Sequence, residues 1–278
     1  MHNQGYIRQS YLGWSLDIHP DVSIDEVYKL LSPDGRVCLD KNTHRQVVSS
    51  GNARVFFTTL CLKNKPAGVY VKHYLFRSIV DFLKHLFRSS RGKRAFKASL
   101  MLRQHEFNAP EPVTLMQKKT GPFFTQSTLI SKAAPCSASL SSYLKNISEE
   151  KRDSLPVLKR DLLTQFGSTI GRMHSKGIIH GDLRLSNVLT QKCEDKILFW
   201  FIDNERTRQF KSVPLRLVRK NLVQINMFRT NITNTDRMRF MKAYAHARGL
   251  SKEETRKIVR LVTDRTSLRL SKKYGRDA

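Results

Sequence analysis

The sequence predicts an α+β protein of two lobes, β-rich over residues 1–131 and helical over residues 132–278. Two observations carry this expectation. Alternating apolar and polar residues fill much of the first half, whereas the second half repeats its apolar residues at helical spacing. A length of 278 residues is also the upper end of what one core supports, which suits two closely joined lobes with a cleft between them.

The elements follow in order. Residues 45–62, "RQVVSSGNARVFFTTLCL", alternate on either side of an SSGN turn and predict a β-hairpin, and "AGVYVKHY" predicts a third strand with Lys72 near its end. In "LFRSIVDFLKHLFRSSRGKRAFKASLMLRQH", Leu75, Phe76, Ile79, Phe82, Leu83, Leu86 and Phe87 recur at helical spacing among basic residues, predicting one or two amphipathic helices. "NAPEPVTL" breaks that pattern and opens a second strand-rich section that runs through "FFTQSTLISKAA". From about Ser139 the pattern is helical, and the longest helix carries Leu162, Phe166, Ile170 and Met173 on one stripe, with Gly177 suited to its C-terminus. "KILFWFIDNE" is a strand ending in acid, and the rest is helical and basic.

Composition narrows the class. No apolar run approaches the roughly 18–20 residues that cross a bilayer, and the opening residues lack the pattern of a secretory signal, so a cytoplasmic location is expected. Cys38, Cys61, Cys136 and Cys193 are far apart and form no C-x-x-C pair, which argues against zinc and for reduced, partly buried thiols. The net charge of +27 implies an anionic partner, and residues 206–278 alone carry +15. Nucleic acid, an anionic membrane surface and a phosphorylated glycolipid all fit that charge.

One stretch concentrates polar chemistry in apolar surroundings. In "GIIHGDLRLSNVL", residues 177–189, His180, Asp182 and Asn187 lie between Ile178–Ile179 and Val188–Leu189. A buried carboxylate costs several kcal/mol unless it is paired, hydrogen-bonded or metal-bound. Phosphoryl transfer needs a cation on nucleotide phosphates, oxygens for Mg²⁺ and a group that orients or deprotonates the acceptor hydroxyl. Lys72, the pair Asp182 and Asn187, and Asp203 at the end of an apolar strand supply those types in that order. Taken singly, each has a plain alternative: a strand-end lysine is usually a surface group, and Asp and Asn also cap turns.

These residues carry a resemblance. "VYVKHY" resembles the kinase strand-three lysine motif, "HGDLRLSN" the catalytic loop H-x-D-x-x-x-x-N, and "FIDNE" the metal-binding D-F-G position. Within the protein-kinase-like superfamily the chain is most similar to the lipopolysaccharide kinase (Kdo/WaaP) family, through "HGDL", "IDNERTR", "RKNLVQIN", "RMRFMKAY" and the basic, aromatic stretch after Lys72. The resemblance implies a protein-kinase-like two-lobed fold that uses ATP and Mg²⁺. It assigns Lys72 to the α/β-phosphates, Asp182 to the base or acceptor anchor, Asn187 and Asp203 to Mg²⁺, and Arg184 to neutralising transferred charge. His180 becomes structural, and Ser50, Gly51 and Asn52 of the SSGN turn cover the phosphates through backbone N–H groups. The implied acceptor is a heptose or Kdo hydroxyl of the lipopolysaccharide inner core, at the inner face of the cytoplasmic membrane.

The sequence departs from the kinase pattern in two places. Gly51 stands where a glycine-rich run is usual, and no acidic residue lies between Asp81 and Glu106 to pair with Lys72. Either one of those two carboxylates orients the lysine, or the ion pair is dispensable in this chain. Glu205 reads as a second metal contact or as the partner of a neighbouring arginine. Residues 75–94 read equally as a core-packing helix or an interfacial one. Two other functions stay open: a kinase-like phosphotransferase for a protein or other small molecule, and a catalytically weak kinase scaffold that binds an anionic membrane or nucleic acid.

Overall fold

The computed structural model describes residues 5–38, 45–47, 53–75, 89–120, 123–135, 138–149, 155–193 and 196–274. The chain forms two compact units, Met1–Gln104 with Ala109–Ala134, and His105–Asn108 with Pro135–Ala278.

The first unit is built on seven strands: β1 (Ile7–Tyr11), β2 (Trp14–Ile18), β3 (Arg45–Val47), β4 (Ala53–Leu62), β5 (Lys65–Tyr74), β6 (Pro112–Thr120) and β7 (Phe123–Lys132). They pair antiparallel in the order β1-β2-β6-β7-β5-β4-β3. Leu12–Gly13 and Lys63–Asn64 take positive φ at both central residues, which matches the twist of the strands they join. The first hairpin and the short helix α1 (Ile24–Tyr28) lie where the sequence pattern indicated no element.

Strand alternation divides the apolar residues between the two faces of this sheet. Leu16, Ile18, Val69, Val71, Met116 and Ile130 meet Val27 of α1 on one face. On the other, Ala53, Tyr74, Leu115 and Leu129 pack against Ala95 and Phe96 of helix α2 (Arg91–Gln104). Lys72 pairs in register with Val55 and Leu129, so it belongs to the α2 face. The described part of the basic amphipathic stretch is this helix; residues 76–88, like Ser50, Gly51 and Asn52, lie outside the described residues.

The second unit has five helices among its described residues: α3 (Leu140–Glu149), α4 (Leu155–Ser175), α5 (Leu215–Asn226), α6 (Asn234–Arg248) and α7 (Lys252–Tyr274). Short strands β8 (Ala138–Ser139), β10 (Val188–Cys193) and β11 (Lys196–Phe201) form one small sheet, and β9 (Ile178–Ile179) pairs with β12 (Arg208–Gln209). The Leu162, Phe166, Ile170 and Met173 stripe of α4 is buried throughout. A Cβ on Gly167 or Gly171 would lie 2.4 Å from Phe240 O or 2.6 Å from Tyr244 O, so α4 and α6 approach backbone to backbone. Helix α6 starts in a capping box between Thr233 and Asp236 and stops at Gly249, whose φ of 67° suits a left-handed cap.

Cys38 and Cys61 depart from the expected partial burial, Cys193 and the free state of these thiols agree with the expectation, and Cys136 lies outside the described residues. Cys38 and Cys61 are exposed, Cys193 is half-buried, and all three thiols are free. Among the described residues no helix is long and apolar enough to cross a membrane.

Candidate active site

The second unit brings the HGD and N positions of "HGDLRLSN" into one hydrogen-bonded loop. After β9 the chain turns at Gly181, whose φ of 79° places an absent Cβ 2.5 Å from Arg206 O, so glycine is required there. A single turn of 3₁₀ helix, Leu185–Asn187, carries the chain into β10. Asn187 Nδ2 donates to the backbone carbonyl of Asp182 at 2.9 Å, closing the loop across five residues. With that amide nitrogen committed, the side-chain oxygen of Asn187 is the atom left to face a cation.

Asp203 reaches the same region from β11. Ile202 N donates to Asn187 O at 3.0 Å, tying the end of that strand to the loop. Asp203 itself takes a left-handed conformation, φ 63° and ψ 41°. Aspartate tolerates that region better than most residues, yet the arrangement is sparsely populated and turns the chain sharply after the strand. Asn204 Nδ2 donates to Phe201 O at 2.9 Å, and Glu205 lies 4.0 Å from Arg206, the arginine pairing weighed for it from the sequence.

His180 is fully buried and structural in its contacts. Its Nε2 lies 3.0 Å from Ile202 O, and its carbonyl accepts from Thr207 Oγ1 at 3.1 Å. Burial pushes its imidazole below the ordinary histidine range, outweighing the opposing pull of the Ile202 carbonyl and of the Asp182 and Asp203 charges. The ring is therefore a neutral donor that joins the loop to the end of β11.

The Asp182 side chain is one-fifth exposed. Its Oδ1 accepts from Gln224 Nε2 at 2.8 Å and from Arg184 Nε at 3.1 Å, while Arg184 is mostly exposed. Leu183 N donates to Gln224 Oε1 at 3.0 Å and His180 N to Asn221 Oδ1 at 3.3 Å, so two polar residues of α5 hold the loop's main chain. Neither was singled out from the sequence. The available signal was their i, i+3 spacing in "VRKNLVQIN", where Asn221 and Gln224 interrupt a face otherwise built by Val218, Leu222 and Val223.

In the first unit, the Lys72 ammonium lies 5.2 Å from the Tyr74 ring centroid. The buried face of α2 is Gly92, Ala95, Phe96, Ala98, Ser99 and Leu102, so no carboxylate of that helix faces the sheet. Of the two candidate partners for Lys72, Asp81 lies outside the described residues. Glu106 is highly exposed and sits 3.6 Å from Lys176 Nζ. Among the described residues no group of three or more His, Cys, Asp or Glu is arranged to hold a metal.

A seven-stranded antiparallel sheet unit with a strand-borne lysine, joined to a helical unit whose HGDxxxxN loop precedes a strand that leads to Asp203, defines a protein-kinase-like fold. The chain belongs to the lipopolysaccharide kinase (Kdo/WaaP) family, whose sequence model matches residues 40–244. It is 26% identical over 163 residues to a 3-deoxy-D-manno-octulosonic acid kinase of Vibrio parahaemolyticus, a match spanning 58% of this chain and 63% of that protein. A kinase of the same description from Photobacterium damsela subsp. piscicida is 24% identical over 188 residues, covering 63% of this chain and 70% of the relative. A solved structure of WaaP in complex with acyl carrier protein superposes with a TM-score of 0.60 at 17% identity, over 80% of this chain and 87% of that one. At that identity the likeness is one of fold.

Proposed function

We propose that this chain is an ATP-dependent kinase that phosphorylates a sugar hydroxyl of the lipopolysaccharide inner core. The observation that carries the reading is the closed loop in which Asn187 bonds the Asp182 carbonyl and the Asp203 strand is tied to Asn187. Family membership supports it. The two relatives described as 3-deoxy-D-manno-octulosonic acid kinases favour Kdo over heptose as acceptor.

Asn187 and Asp203 offer one amide and one carboxylate oxygen. That set suits Mg²⁺, which usually takes one or two carboxylates and completes its shell with water and phosphate oxygens, so the lack of a three-residue cluster among the described residues is no obstacle. When bound, the metal supplies charge neutralisation on the nucleotide phosphates. Lys72 holds the α/β-phosphates, with Ser50, Gly51 and Asn52 covering them. Asp182 orients the acceptor hydroxyl and takes its proton, and Arg184 offsets charge on the transferred group. Catalysis is then chiefly positioning and electrostatics.

The +27 charge, weighted toward residues 206–278, supports a place at the inner face of the cytoplasmic membrane, where each basic residue near anionic lipid contributes about 1 kcal/mol. The deciding experiment is phosphate transfer from ATP to purified core glycolipid, read by product mass, with Asp182→Ala and Asp203→Ala alongside the wild-type protein. One added phosphate, lost in both variants, is the expected result. Equal turnover in all three proteins would reject the mechanism.

A further inference from the structure

Behind Asp182 lies a line of five side chains whose hydrogen bonds all run one way. Arg248 Nη1 donates to the Tyr244 hydroxyl at 2.9 Å, and that hydroxyl is 2.9 Å from His174 Nδ1. His174 Nε2 is 3.3 Å from Asn221 Oδ1, Asn221 Nδ2 donates to Gln224 Oε1 at 3.4 Å, and Gln224 Nε2 donates to Asp182 Oδ1 at 2.8 Å.

The main chain fixes this polarity. His180 N–H points at Asn221 Oδ1 and Leu183 N–H at Gln224 Oε1, so turning either amide over would set donor against donor. Asn221 Oδ1 being an acceptor, His174 carries its proton on Nε2. Its Nδ1 therefore accepts from Tyr244, whose oxygen accepts from Arg248. Each donor in such a line polarises the next toward the carboxylate at its end.

We propose that Gln224 is the positioning residue for Asp182. Among the described residues the bonds to this carboxylate, from Gln224 and Arg184, both fall on Oδ1. Gln224 thereby fixes the rotamer in which Oδ2 is presented to the acceptor hydroxyl. Asn221, His174 and Tyr244 anchor Gln224 to α4 and α6, so three helices hold one carboxylate. The assignment rests on the kinase reading of Asp182.

Gln224→Glu separates this role from simple support of the loop. It keeps an acceptor for Leu183 N–H but removes the donor and sets a carboxylate against Asp182. We expect kcat to fall about 10- to 100-fold, the range typical when a hydrogen-bond partner that orients a metal-ligating side chain is lost, with KM for ATP unchanged. Wild-type kcat in the folded variant would overturn the assignment, as would a parallel change in KM for ATP, because collapse of the loop would move Asn187 as well. Should the variant fail to fold, the side-chain amide resonance of Gln224 in the wild-type protein decides: it shifts in Asp182→Ala if the bond exists, and an unmoved resonance refutes it. That signal needs no turnover. If the wild-type protein transfers no phosphate, the kinase reading fails while the placement of Gln224 is still tested.

Discussion

His174 Nδ1 and the Tyr244 hydroxyl lie 2.9 Å apart in the interior of the helical unit, with both residues essentially inaccessible to solvent. Burial, more than any neighbour, pushes the imidazole down to about 3 and the phenol up to about 12. Both groups are therefore neutral across the physiological range.

This makes stability fall with acid in a defined window. The folded histidine refuses a proton that the unfolded chain accepts below about pH 6.5, so its contribution is complete above that pH. It declines until about pH 3, where the folded ring also titrates. Between pH 6.5 and 5 the loss from His174 alone is about 2 kcal/mol, and His180 acts in the same direction. Urea denaturation at pH 7 and pH 5 measures it. A His174→Gln protein should lose about 2 kcal/mol less over that interval, and an equal loss in both proteins would remove His174 from the account.

The α4–α6 contact sets a second expectation. Alanine in place of Gly171 puts a Cβ 2.6 Å from Tyr244 O and 2.8 Å from Ala247 Cβ. Helix propensity favours the change by about 1 kcal/mol, but overpacking of this kind costs about 1–3 kcal/mol. The net effect is a lower melting temperature, readable by circular dichroism. An unchanged or raised value would mean that the two helices part without cost.

Asp236 gives a third. Its carboxylate bonds Lys159 at 2.6 Å and Thr233 N at 3.0 Å, with only 4% of the side chain exposed. Burial pushes this carboxyl up, and the bonds from Lys159 and Thr233 more than reverse that, holding it below the usual range. Asp236→Ala leaves Lys159 without this partner and should cost about 3 kcal/mol. Asp236→Asn keeps an acceptor for the cap and should cost less. Equal losses would assign the whole effect to the ion pairs of Asp236 with Lys159 and, at 3.2 Å, with Arg239.

What the sequence revealed divides along physical lines. The antiparallel pairing of β3 with β4, the strand bearing Lys72 and the buried stripe of α4 were readable, because a period of 2 or 3.6 leaves a trace in any single segment. The β1–β2 hairpin was not anticipated. Its turn residues, Leu12 and Gly13, are weak signals, and its partner β6 lies about a hundred residues further along the chain.

The site shows the same split. Asp182, Asn187 and Asp203 stood out by motif and order. Gln224 and His174 did not, since the hydrogen bonds that link them to Asp182 form between elements that meet only in the folded unit. The exposure of Cys38 and Cys61 likewise depends on their neighbours in space rather than on their chemistry.

The four residues His105–Asn108 belong to the second unit although they lie between two segments of the first. Asn108 O accepts from Phe201 N at 2.9 Å, and the Phe107 ring stands edge-on to Phe201. Cutting the chain after Ala134 would therefore not yield the helical half intact. A fragment starting at Pro135 would lack an aromatic ring of its own core and a hydrogen-bond acceptor at the end of the strand that leads to Asp203. The two halves are interleaved in sequence, and a gene dissected at the obvious junction would encode two incomplete pieces.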